Sequence, residues 1–566
     1  MRFKDMPYEH IAYEDIERDY GALLDVLEKI EDPQEFEEQF FKINDYRSHM
    51  QTMMTLCMIR HSIDTADPFY DQEQEYWDET APKISALEDR LNRIALNFKR
   101  RDDLKRIPAI YFKMCEYALK IFTKEIIEDS QIENKLVSEY GKLKASAKIE
   151  LDGEIHNLAS IGPLLTSNDR ELRKRAALAV NSFYTENEKE FDRIYDELVK
   201  VRDRKAKKLG FKDYVEYAYY NMMRLDYDRD MVANYRKQVL EDIVPVTREI
   251  YKAQKERLGL DRLRSWDLNY AFKSGNPRPV GDEPVLVMKA KEMYRAMGQE
   301  TGDFFDMMCE EELFDLTTKP NKEMGGYMAP IPEFKRPFIF SNFNGTKGDV
   351  EVLTHEAGHS FQTYMTYKYN DDLIMELVGP TMEACEIHSM SMEFFTHPYM
   401  ESFFGKDTEK FLYSHIADAL TFIPYGILVD HFQHEVYEHP EMTAEERKAT
   451  WHRLEKLYCP DRDHEGLDLL ERGGWFYRQG HIYQSPFYYI DYTLAQVCAL
   501  QFFTRMLKGD PDAFKDYIEL CKVGGNYSFL ELLKIAHLKS PFSDGSLKEV
   551  ATTMMEELDK FDVSNL

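Results

Sequence analysis

The chain has 566 residues, 43% hydrophobic and 31% charged, a balance that supports a large buried core and excludes the disordered and membrane-embedded classes. Its 103 acidic residues against 73 basic ones leave a formal net charge of −30. Such a field repels phosphate backbones and anionic lipid, so no nucleic acid and no membrane is expected as a partner.

From the N-terminus, MRFKDMPYEHIAYEDIERDYG carries acids where a signal peptide needs a positive cap and an apolar run. No stretch approaches the roughly 20 consecutive apolar residues of a spanning helix. Seven scattered cysteines without a CxxC pair fit a reducing compartment and suggest neither a disulfide framework nor a thiolate zinc site. A cytoplasmic location is the expectation.

Most of the chain reads as amphipathic helix. Ile84, Leu87, Leu91, Ile94 and Phe98 recur at steps of three and four, as do Ile194, Leu198 and Val201 before Gly210 offers a stop. Two segments break this period. Ile149–Ile155 alternates about an Asp152-Gly153 pair, the chemistry of a type I′ hairpin. Phe338–Phe343 reads as a strand that enters after Pro337 and leaves through Asn344-Gly345, and is a candidate edge on which an extended peptide could pair. The Gly/Pro-rich stretch 273–284 is a surface loop or lobe junction. The expected division is a helical lobe over 1–205 and a portion holding the chemistry over 206–566.

That chemistry begins at Thr354-His355-Glu356-Ala357-Gly358-His359, an H-E-x-x-H. Residues four apart on a helix share one face, so His355 and His359 can reach one zinc ion at about 2.0–2.1 Å. Glu356, beside the first ligand, can take a proton from water as general base. Val350, Leu353, Ala357 and Phe361 form a buried stripe. Gly358 lowers helix propensity by about 1 kcal/mol relative to Ala, and so suggests close approach of a neighbouring element.

A tetrahedral hydrolytic site needs a third protein ligand. Thr381–Glu393 is helical in character, and Glu383, Glu386 and His388 are all candidates by spacing. Further on, His431-Phe432-Gln433-His434-Glu435 matches neither H-E-x-x-H nor its inverse and reads as a surface helix.

These residues resemble the thimet oligopeptidase and oligoendopeptidase F family of zinc metallopeptidases, in particular its oligoendopeptidase F or Pz-peptidase-like branch. His355-Glu356-Ala357-Gly358-His359-Ser360 is similar to the family's H-E-x-G-H core. Glu386, with Ser389 three and Glu393 seven residues later, is similar to its third-ligand helix. That pattern implies Glu386 as third ligand, although Glu383 fits the family's gap from His359 better. Gly473-Gly474-Trp475 and Gly480–Tyr492 resemble the segment in which a His and paired tyrosines act, and imply His481, Tyr489 and Tyr492 as catalytic, with Tyr488 an alternative. Tyrosine hydroxyls, neutral at pH 7, are suitable donors to an oxyanion. Leu209–Tyr214 and Gly325-Gly326-Tyr327 extend the resemblance over about residues 200 to 500.

The resemblance implies a mainly α-helical, two-lobed zincin-type fold with a deep substrate channel and a small β element beside the metal helix. It further implies a single Zn2+ and short peptide substrates cleaved at internal bonds. A non-catalytic peptide-binding scaffold and a zinc aminopeptidase are the alternatives. Glu356 weighs against the first, because a pure binder gains nothing obvious from a base beside the metal.

Overall fold

The computed structural model describes residues 1–563 and 566. The protein is mainly α-helical with two small sheets, and divides into two compact units that interleave along the chain. The first comprises Met1–Leu119, Arg278–Thr408 and Cys498–Leu538; the second Lys120–Pro277, Glu409–Val497 and Lys539–Leu566. Residue 205 lies inside the helix Glu188–Lys208. The chain passes between units at Pro277–Arg278, within the Gly/Pro-rich stretch.

Helix starts follow local chemistry. Asp32 and Asp67, each followed by a proline at the first helical position, accept backbone N–H groups at the heads of Pro33–Ile63 and Pro68–Asn97, satisfying donors that have no partner within the helix. Asp213 and Asp228 do the same in the second unit. Of the stripe beginning at Ile84, Leu91 is fully buried and Ile84, Ile94 and Phe98 are nearly so; Ile194, Leu198 and Val201 are core residues. Gly210 ends the helix Glu188–Lys208 with φ +83, a conformation that an L side chain disfavours.

Strands β1 (Ile149–Leu151) and β2 (Glu154–His156) form the expected antiparallel hairpin. Asp152 and Gly153 both have positive φ, 55 and 85, as a type I′ turn requires.

The second sheet comprises β3 (Phe314–Thr317), β4 (Tyr327–Ile331) and β5 (Arg336–Phe343) in the order β3-β5-β4. β5 is parallel to β3 and antiparallel to β4. The expectation that Phe338–Phe343 offers a free edge is therefore overturned, because this strand lies in the middle of its sheet. The physical reason is visible in its composition. Pro337 to Ser341 are buried without alternation, the pattern of a strand covered on both faces. β4 and β3 are the outer strands.

The surface-helix expectation for residues 431–435 changes as well. The helical run Met382–Glu438 is long and apolar enough to cross a membrane by length and composition, yet 72% of its most apolar window is buried in the protein, as in a core helix. Within it His434 is buried, not on a surface helix, and His431 is half-buried. His434 Nε2 lies 3.2 Å from the Tyr219 hydroxyl and 3.6 Å from Asp430. Burial, then the nearby Arg236 and Arg224, pushes its pKa well below the ordinary imidazole range. The helix Thr408–Glu438 is buried along most of its length, and buried polar residues such as Asp430 and His434 find partners inside the unit.

Candidate metal centre

The helix carrying H-E-x-x-H spans Gly348–Tyr369, and the turn before it sets its position. Asp349 accepts the backbone N–H groups of Asn344 and Gly345 at 2.9 and 2.7 Å, tying the end of β5 to the first helical turn. The Asn-Gly pair supplies the bend, with Gly345 at φ +83. At the start of β4, a Cβ on Gly326 would lie 3.3 Å from Val352, so sheet and helix touch one turn before His355.

The helix Met382–Phe395 crosses this one at Gly358. A Cβ there would come within 2.6 Å of both the His388 carbonyl oxygen and Ser389 Cα, and 3.0 Å from Met392 Cβ. Because two of those atoms are backbone, the helices can approach this closely only with glycine. A Gly358→Ala variant is expected to lose about 1–3 kcal/mol of stability and to weaken metal binding by separating the two helices; a denaturant titration and a zinc titration measure the two effects.

This crossing brings Glu386 to the two histidines. Its Oε2 lies 3.3 Å from His355 Nε2 and 3.4 Å from His359 Nε2, and the three ligand atoms fall within 4.8 Å of one another. The imidazoles are 5.1 Å apart, centre to centre, at 83°. Ligands held tetrahedrally about 2.05 Å from zinc stand about 3.3 Å from each other. The observed separations fit that geometry, and two imidazoles with one carboxylate are a donor set suited to zinc.

Neighbours orient each donor. His355 Nδ1 meets Glu393 Oε1 at 2.7 Å, which directs Nε2 toward Glu386, and the Ser389 hydroxyl donates to Glu386 Oε2 at 2.9 Å. Carboxylates and hydroxyls in such places fix the tautomer and raise ligand basicity. Burial would raise the Glu386 pKa, yet hydrogen bonds from His355 and His359 hold it well below the usual carboxylate range. Glu356 is itself buried. Burial pushes its carboxyl up, opposed by the charges of His355 and His359.

The other candidates lie apart from this group. His388 is buried with Nδ1 at 3.0 Å from the Ala384 carbonyl, and burial takes its pKa down to about 4. Glu383 is buried and does not join the converging atoms. Among the described residues a second set of converging carboxylates, Glu188, Asp192 and Glu445, surrounds Lys448, whose ammonium lies within 3.2 Å of all three. The second set is thus already filled by the Lys448 ammonium, with Arg472 also paired to Glu188.

His481 and the tyrosines gather in the second unit. The His481 ring is 4.8 Å from Tyr489, 5.8 Å from Tyr488 and 6.0 Å from Tyr492, centre to centre. All four are half-buried, neither sealed in the core nor free on the surface. His481 Nδ1 accepts from Gln479 Nε2 at 2.8 Å, and Gln479 Oε1 accepts from Tyr425. Sequence reasoning missed Gln479 and Asp349. The Asn-Gly turn ahead of a helix signalled Asp349, whereas nothing local signalled Gln479.

Comparison with known proteins places these residues in context. Residues 3–122 match the Peptidase M3 N-terminal domain, and residues 164–283 and 288–552 match Peptidase family M3. The chain is similar to an oligoendopeptidase F homolog of Borreliella burgdorferi, 24% identical over 66% of this chain and 62% of the relative. It is also similar to the group B oligopeptidase PepB of Streptococcus agalactiae, 21% identical over 64% and 59%. The matches thus span less than two thirds of the length of these curated relatives. A solved structure of PZ peptidase A with an inhibitor is 46% identical over the full length of both chains, with a TM-score of 0.92. With both the N-terminal and the main family models matched across most of its length, this chain belongs to Peptidase family M3.

Proposed function

We propose that the chain is a cytoplasmic zinc-dependent endopeptidase that hydrolyses internal bonds of short oligopeptides. The observation that carries this reading is the meeting of His355, His359 and Glu386 with Glu356 buried beside them; membership in a peptidase family agrees with it.

His355, His359 and Glu386 would hold the ion. When bound, zinc supplies a Lewis acid that acidifies water and polarises a carbonyl. Glu356 takes the proton of the attacking water and returns it to the leaving amine. Glu393 and Ser389 keep the donors aimed, through the contacts described above. Tyr489 and Tyr492, with His481, are assigned the role of neutral donors to the oxyanion; burial raises the Tyr489 pKa further, so its hydroxyl keeps its proton at neutral pH. With β5 paired on both sides, the outer strand β4, which begins against the H-E-x-x-H helix, offers backbone groups to an extended substrate.

An internally quenched peptide series decides the matter. Cleavage of an N-terminally blocked peptide, abolished by chelator and restored by zinc, is expected. Saturable binding without cleavage would identify a scaffold. Cleavage confined to unblocked peptides would identify an aminopeptidase.

A further inference from the structure

Arg224, more than 250 residues before the tyrosine segment in sequence, is a buried cation that reaches that segment directly. Its side chain is fully buried, as is that of Asp491. Nη2 donates to the Phe487 carbonyl at 2.5 Å and to Asp491 Oδ1 at 3.2 Å. The guanidinium lies 4.3 Å from the Tyr219 ring centre and 5.6 Å from that of Tyr227.

Phe487 is unusual in its own right. It adopts φ +68, a left-handed conformation that an L residue rarely takes unless its surroundings impose it. The surroundings here hold both of its backbone polar groups. Arg224 takes the carbonyl, and the N–H donates to the buried Gln433 Oε1 at 2.9 Å. The chain leaves this point directly into Tyr488 and Tyr489, and the Asp491 N–H closes back on the Tyr488 carbonyl at 2.9 Å. The turn that launches the tyrosines is therefore clamped at Phe487 and at Asp491 by one side chain.

We propose that Arg224 is a positioning residue for catalysis, which acts by holding Phe487 and Asp491 so that Tyr488, Tyr489 and Tyr492 converge on His481. This rests on the assignment of Tyr489 and Tyr492 to the oxyanion. A buried ion pair is weak evidence for a purely stabilising role, since well-packed apolar replacements often do as well. Both contacts leave from the one nitrogen Nη2, and the guanidinium plane that aims it rests against the Tyr219 and Tyr227 rings; a lysine ammonium, a point charge on a flexible stem, does not reproduce that fixed orientation.

A double-mutant cycle tests this, with kcat, KM and bound zinc measured on each full-length protein. Removing the oxyanion donors in Tyr489→Phe/Tyr492→Phe is expected to lower kcat by about 100- to 1,000-fold. Arg224→Lys is expected to lower kcat by about 10- to 100-fold, as a misplacement near 1 Å does, with KM within about twofold and zinc content unchanged. In the double-Phe background Arg224→Lys is expected to have less than about a twofold further effect, because the groups it positions are gone. Multiplicative losses would overturn the proposal while leaving the tyrosine assignment standing. Full activity of the double-Phe protein would overturn the assignment and the proposal with it, and full activity of Arg224→Lys the proposal alone. Should Arg224→Lys fail to fold, Asp491→Asn enters the same cycle with the same criteria.

Discussion

Replacing Glu356 by Gln is expected to lower kcat for peptide cleavage by about 10²- to 10⁴-fold, the usual range for removing a general acid–base group, while bound zinc stays stoichiometric. The amide keeps the volume and one acceptor oxygen of the carboxylate but cannot accept a proton. Glu356 is not one of the three converging donors, so metal retention separates its role from theirs. Measurement of kcat alongside zinc by atomic absorption checks both halves. Activity within tenfold of the parent would remove Glu356 as the base.

Replacing Glu386 by Gln is expected to have the opposite signature, with zinc lost first and activity falling as a consequence. The single oxygen Oε2 faces both imidazoles, at 3.3 and 3.4 Å, and receives the Ser389 hydroxyl. A neutral amide leaves two histidines without the anionic donor that balances a divalent ion. The affinity loss should exceed the 10- to 100-fold that follows removal of a residue which only orients a ligand. Glu383→Gln supplies the contrast, because Glu383 stands outside the converging group and its variant should keep zinc. Competition with a chromophoric chelator ranks the parent and both variants. Loss of zinc from Glu383→Gln with retention by Glu386→Gln would reverse the ligand assignment.

Local periodicity made much of the architecture legible. The i, i+4 spacing of His355 and His359 depends only on helical geometry, as do the buried stripes at Ile84 and Ile194, and the Asp152-Gly153 turn depends only on which residues tolerate positive φ. Gly358 announced a close neighbour, since a mid-helix glycine needs a reason, and the crossing helix Met382–Phe395 is that neighbour. The errors fell where the answer depends on what lies against an element. Phe338–Phe343 is a strand in either reading, but whether it is central or at an edge is decided by β3 and β4, which arrive from elsewhere in the chain. His434 carries no local mark of burial; its partner Tyr219 lies 215 residues away.

The amino-acid sequence alone determined the chemistry on offer: which residues can bind zinc, which can move a proton, and which elements carry them. These are properties of residue type and of spacing within one element, and they need no neighbour. Spacing left Glu383, Glu386 and His388 open and only the family resemblance favoured Glu386; the tertiary structure is what brings Glu386 to the two histidines, leaves the other two apart, and holds Phe487 from Arg224 and Gln433. Each of those outcomes is a distance between atoms far apart along the chain. Such distances are set by helix crossings and buried partners, and no short-range pattern encodes them.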